Sequence, residues 1–178
     1  MKGVVGIVKR LSFYILLALS LVLIGCQGSQ SVGEENIKGF LNQLYHVEST
    51  ALYEKFLQNT QEYILQRDKK DGLVELGDEL FESILQDYRP YCTEAAMEKL
   101  LSTGYATKYL QKAYEDKCVY LVDRIALEKS KESQLQYYFI VDVEKRKEDG
   151  TTTKEKGEGI IRLNDEGLID LFKITKQV

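Results

Sequence analysis

The chain has one histidine, one proline, three cysteines and no tryptophan. A lone histidine, His46, leaves a Ser-His-Asp triad, a Cys-His pair or a zinc site short of partners, and the cysteines form no Cys-x-x-Cys motif. No metal ion or cofactor is therefore expected, and His46 reads as a residue on the surface of a helix. A hydrophobic run of about 20 residues, the length that spans a bilayer as a helix, is also missing: the longest uncharged apolar stretch, Leu11 to Ile24, covers about 14. Basic residues are in the minority, 24 Lys and Arg against 28 Asp and Glu for a net charge of −4. That balance argues against nucleic acid or an anionic membrane surface as a partner.

What is present at the N-terminus has a recognisable layout. Lys2, Lys9 and Arg10 precede the short apolar stretch, which ends in "LVLIGCQGSQ" and turns polar at once. A basic start, a short apolar centre and small residues at the end are the plan of a secretory signal peptide. Leu23-Ile24-Gly25-Cys26 resembles the lipobox of bacterial lipoproteins. The resemblance implies that residues 1–25 are removed, that the Cys26 thiol takes a diacylglycerol, and that acyl chains hold the protein to the outer side of a membrane. Each buried CH₂ contributes about 0.8 kcal/mol, and two or more chains hold stably where one is marginal. No aspartate follows Cys26, which fits a Gram-positive surface lipoprotein, the favoured location, or an outer-membrane one. Residues 26–33 read as a flexible tether, and 34–178 as a single domain.

Within that domain helices come first. Ile37, Phe40, Leu41, Leu44 and Tyr45 fall at helical spacing, as do Leu52, Phe56, Leu57, Tyr63 and Ile64, with Glu48-Ser49-Thr50 as a break between them. A third helix is marked by Leu73 to Leu85 and stops near Arg89, because Pro90 disfavours helical geometry in the residue before it. Thr93 caps a short helix that Gly104 ends, and another runs from Thr107 to Asp116. Cys92 and Cys118 either close a loop or stay as two buried free thiols, and the second is the reading adopted.

After Lys117 the apolar period becomes alternating. Val119, Leu121, Ile125 and Leu127 are assigned to one face of a strand with Asp123 among them, and Leu135, Tyr137, Phe139, Val141 and Val143 to one face of the next. Polar turns at 129–133, Glu148-Asp149-Gly150 and Asp165-Glu166-Gly167 predict three hairpins and a four-stranded antiparallel meander, the third strand near Thr152–Leu163 and the fourth near Leu168–Thr175. Gly157 and Gly159 inside the third strand signal a bulge or bend.

The fold class is thus α+β, with N-terminal helices packed on a strongly curved antiparallel meander in a cone-like arrangement. The order, with "RPYCTEAAMEKLLSTGY", "QLQYYFIVDVEKRKEDG" and "GEGIIRLNDEGLIDLFKI" in sequence, resembles the nuclear-transport-factor-2-like superfamily, which includes ketosteroid isomerase. Enzymes of that superfamily hold an acid or base deep in the cone. By that resemblance Asp123 is the candidate base, with Tyr109 and Tyr137 as candidate donors and Phe139 in the pocket wall. Two functions compete. The favoured one is a non-catalytic, lipid-anchored binding or assembly module that meets a protein partner at the cell envelope, with a homodimer compatible with it. The alternative is an enzyme of isomerase or dehydratase type, for which Asp123 is the acid.

Overall fold

A computed structural model describes residues 32–67, 82 and 84–176. Leu23, Ile24, Gly25 and Cys26, and with them the expected signal peptide and anchor, lie outside the described residues. So does most of the third expected helix, of which Ile84 and Leu85 are helical and Ile84 is buried. The described helices are α1 (32–45), α2 (Ala51–Arg67), α3 (Glu94–Ser102) and α4 (Tyr105–Asp116), followed by β1 (Cys118–Lys129), β2 (Gln136–Lys147), β3 (Thr152–Leu163) and β4 (Ile169–Lys176). The strands form one open antiparallel sheet in the order β1-β2-β3-β4. The architecture is α+β, with the meander in the expected order. No helix among the described residues is long and apolar enough to cross a membrane.

α1 buries Ile37, Phe40, Leu41, Leu44 and Tyr45, the five positions its spacing assigns to one face. It begins earlier than Glu35, because Gly33 is already packed against Leu163 of β3: a Cβ there would sit 2.7 Å from Leu163 Cδ1. Part of the expected tether is therefore helix. The chain breaks at 46–50, and Ser49 Oγ accepts the N–H of Ala51 at 3.2 Å to start α2. Thr93 caps α3 through Oγ1, which accepts the N–H of Ala96 at 3.4 Å. Gly104, at φ +71, turns the chain directly into α4, which starts at Tyr105 where Thr107 was expected.

The inner face of the sheet carries Tyr120, Tyr137, Phe139, Val141, Val143, Ile161, Ile169 and Phe172, all buried under the helices. Burying each such side chain contributes about 1.5–3 kcal/mol relative to exposure. Phe172 anchors the contact, with Phe40 at 5.4 Å and Tyr105 at 6.0 Å between ring centroids. Leu135 departs from the expected face: it precedes β2 and is exposed.

β1 corrects a second assignment. Its register against β2 slips between Val122 and Arg124, so Val122 faces Val143 and Ile125 faces Val141. Asp123 is the extra residue of a β-bulge. Before the bulge Cys118, Tyr120 and Val122 point inward; after it Ile125 and Leu127 do. Val119 and Leu121 consequently lie on the face opposite Ile125 and Leu127.

The two edge strands are each met by one non-strand segment. Val47 and Tyr120 exchange backbone hydrogen bonds of 2.7 and 2.9 Å on the β1 edge. On the β4 edge Ile169 O accepts the N–H of Thr93 at 2.9 Å, and Ile169 N–H donates to Tyr91 O at 2.8 Å.

Candidate functional site

The structure divides the four residues expected to share a pocket. Tyr109 is buried on α4, with its ring 4.8 Å from Tyr45 and 5.6 Å from Tyr120. Tyr137 and Phe139 lie further along the inner face of β2, Tyr137 beneath the Lys129 ammonium at 5.8 Å and Phe139 against Gly159. Asp123 joins none of them. The bulge turns it to the outer face, where its side chain is 59% exposed and 3.5 Å from Lys154 Nζ. An acid so placed stays hydrated, and the helix-covered face gains no base from it.

The inner face is most polar where Tyr45, Tyr109 and Tyr120 meet. Lys145, opposite Tyr120 in the β1–β2 register, extends its ammonium over the Tyr120 ring at 5.6 Å and donates to Asp116 Oδ2 at 2.5 Å. That hydrogen bond holds the Lys145 pKa above its ordinary value and the Asp116 pKa below its own. Burial pushes the Tyr45 and Tyr120 hydroxyls well above the usual phenol range, helped by Tyr109 and Cys118 respectively. Burial likewise raises the thiols of Cys118 and Cys92, the latter to about 12. Both cysteines are free and buried, as read from the sequence. These groups are poised to stay in their resting protonation states and to fix packing. An open groove of about 800 Å³ borders this end, lined by Glu48, Thr50, Glu54, Tyr114 and Lys147. Its lining mixes both charges and converges on no one group.

His46, expected on a helix surface, has a structural role instead. It follows α1 directly, and its Nδ1 accepts the Val122 N–H at 3.2 Å while Nε2 contacts Glu48 Oε1 at 3.0 Å. Among the described residues no group of three or more His, Cys, Asp or Glu side chains could hold a metal ion.

The outer face of the sheet is the more distinctive surface. Tyr138 and Ile140 of β2 and Leu171 of β4 are 44%, 40% and 36% exposed, with Ile160 of β3 directly opposite Tyr138. Charged residues frame this apolar ridge, many already in ion pairs: Lys156–Asp142 at 3.7 Å, Arg162–Asp170 at 2.7 Å and Arg146–Glu144 at 2.7 Å. Face assignment by alternation passes over the ridge. The signal was the run Tyr137-Tyr138-Phe139-Ile140-Val141, apolar at every position, which is the pattern of a strand with apolar residues on both faces.

No family model matches this chain, and no curated protein or solved structure matches it either.

Proposed function

We propose that this chain is a non-catalytic, lipid-anchored binding or assembly module on the outer side of a bacterial membrane, held by acyl chains on Cys26 and presenting the outer face of its sheet to a protein partner. We read the helix-covered meander as a cone-like member of the nuclear-transport-factor-2-like group. The observation that carries the binding reading is the exposed ridge of Tyr138, Ile140 and Leu171 on a sheet whose other face is packed. An apolar patch rimmed by polar residues marks an interaction surface. The lipobox and the short apolar run before it support the anchor.

Radiolabelled palmitate should enter the wild-type chain and not Cys26→Ser; a substituted chain that stayed on the membrane at unchanged mass would refute the anchor. For the binding face, Tyr138→Asp or Ile140→Asp should abolish the cellular phenotype of the gene, whereas Asp123→Asn should leave it intact. Loss of phenotype in a well-folded Asp123→Asn chain would move the assignment to the isomerase-like enzyme.

A further inference from the structure

We infer that the end of the domain formed by the start of α1, the β1–β2 turn and the β3–β4 turn rests on the lipid surface, with Val32 and Leu135 touching the headgroups and the strands standing along the membrane normal. The inference rests on the anchor at Cys26 and names what lies against this end. The three segments are joined in the structure. Leu135 O, just ahead of β2, accepts the N–H of Leu163 at 2.8 Å. Gly33 packs against Leu163, and Asn36 Nδ2 donates to the Gly167 oxygen at 3.0 Å. Val32 and Leu135, 50% and 36% exposed, are the large apolar side chains left open at this end among the described residues.

The length of the tether decides which end faces the membrane. Six residues of chain lead from Cys26 to Val32, where α1 begins, and even fully extended they reach only about 21 Å. An acylated Cys26 therefore keeps this end within that distance of the bilayer. A short link gives a high effective concentration, so a small apolar contact suffices. β2, at 12 residues, runs about 40 Å from this end to its other one, so the Glu148-Asp149-Gly150 turn and the groove that Glu148 helps to line point away from the lipid.

Charge sets the posture and the kind of lipid. Laid on its outer sheet face, the domain would press the Lys156–Asp142 and Arg162–Asp170 pairs against lipid and strip water from them. Standing on end, it brings only turn and helix-start residues near. Among the exposed charges there, Glu35, Glu132, Asp165 and Glu166 outnumber Lys131. The contact is accordingly apolar and suits zwitterionic headgroups. Anionic headgroups repel the acids and lift this end as far as the tether allows, most at low salt. In this posture the ridge of Tyr138, Ile140 and Leu171 faces sideways, and its protein partner approaches along the plane of the membrane.

The test uses the full chain, purified from cells that produce it and reconstituted into phosphatidylcholine vesicles with nitroxide-labelled headgroups. A fluorophore is attached at Gln134→Cys beside Leu135, at Glu148→Cys on the far turn, or at Lys173→Cys on the outer sheet face; Cys92 and Cys118 are buried. Emission should be quenched at position 134, less at 173, and not at 148. Exchanging part of the phosphatidylcholine for phosphatidylglycerol at low salt should weaken the quenching at 134, and added salt should restore it. Val32→Asp combined with Leu135→Asp should abolish it, whereas Leu135→Met should retain it; both positions are exposed, and circular dichroism checks that the Asp variant is folded. A chain that does not float with the vesicles would overturn the anchor itself. A floating chain unquenched at 134, or quenched alike at 134 and 148, would overturn the contact and leave the anchor standing. Stronger quenching at 173 than at 134 would lay the sheet face on the lipid and overturn the upright posture. Quenching that phosphatidylglycerol strengthens, or that survives the two Asp substitutions, would overturn Val32 and Leu135 as the touching residues.

Discussion

His46 Nδ1 accepts the backbone N–H of Val122 at 3.2 Å, at the point where β1 slips its register against β2. An accepting Nδ1 has no proton, so the ring is in its Nε2–H form and donates to Glu48. One side chain thus ties the end of α1 to the residue that begins the bulge.

Removing that acceptor should loosen the bulge. His46→Ala should cost about 1 kcal/mol of unfolding free energy, the typical worth of a single hydrogen bond. Amide hydrogen exchange at Val122 should speed up while Val141 and Val143 stay protected. Unchanged exchange at Val122 would mean that the β2 ladder alone holds the bulge.

The Lys145–Asp116 pair makes stability depend on pH at both ends of the scale. The folded-state pKa of Asp116 is depressed by the Lys145 hydrogen bond, so its contribution is present above the ordinary carboxylate value and is lost as pH falls through the depressed one. Lys145 is shifted up, first by the same bond, so its contribution is complete below the ordinary lysine value and is lost as pH rises through the elevated one. Asp116 is 43% exposed, and solvent screening limits the pair to about 1 kcal/mol. The unfolding free energy of Lys145→Met from urea titration should fall by that amount near neutral pH and converge on wild type in strong acid and strong alkali. Parallel pH profiles would remove the pair from the stability account.

Two glycines of β3 should resist substitution for different reasons. A Cβ on Gly159 would collide with the backbone oxygen of Lys173 and lie 2.6 Å from the Phe139 ring, and one on Gly157 would lie 2.6 Å from the Tyr45 hydroxyl. Gly159→Ala must move β4 and should cost about 3 kcal/mol; Gly157→Ala must move a buried tyrosine and should cost about 1–3 kcal/mol. Thermal unfolding of the two variants ranks them. Equal and negligible losses would show that the sheet opens freely at this point.

Cys92 and Cys118 should both be inert towards thiol reagents in the folded protein near pH 8. Burial raises both pKa values and so depletes the reactive thiolate. Peptide mapping after brief alkylation should find both unmodified in the native chain and both modified in denaturant. Rapid native labelling of Cys118, at the groove, would contradict its burial.

The sheet was the most legible part of the sequence. Glu148-Asp149-Gly150 and Asp165-Glu166-Gly167 mark turns because each places a glycine where φ is positive, +85 at Gly150 and +83 at Gly167. The faces of β2 followed from alternation, since nothing interrupts its register with β3. The faces of β1 did not. One extra residue inverts every position beyond it, and no composition signal separates Asp123 in a bulge from Asp123 in a regular strand. The same slip explains why the acid that looked embedded is exposed. The outer ridge was written in Tyr138 and Ile140, but which residues stand beside it depends on which strands are neighbours, and that only the pairing of all four strands shows.

The backbone contacts of Val47 on β1 and of Tyr91 and Thr93 on β4 bear on how the molecule avoids aggregation. An open sheet has two edges able to recruit further strands without limit. Here one segment from the α1–α2 connection occupies part of one edge, the segment ahead of α3 occupies part of the other, and the Asp123 bulge with its neighbouring Arg124 charges and twists what is left of β1. Growth by strand addition is thereby opposed at both edges of the sheet.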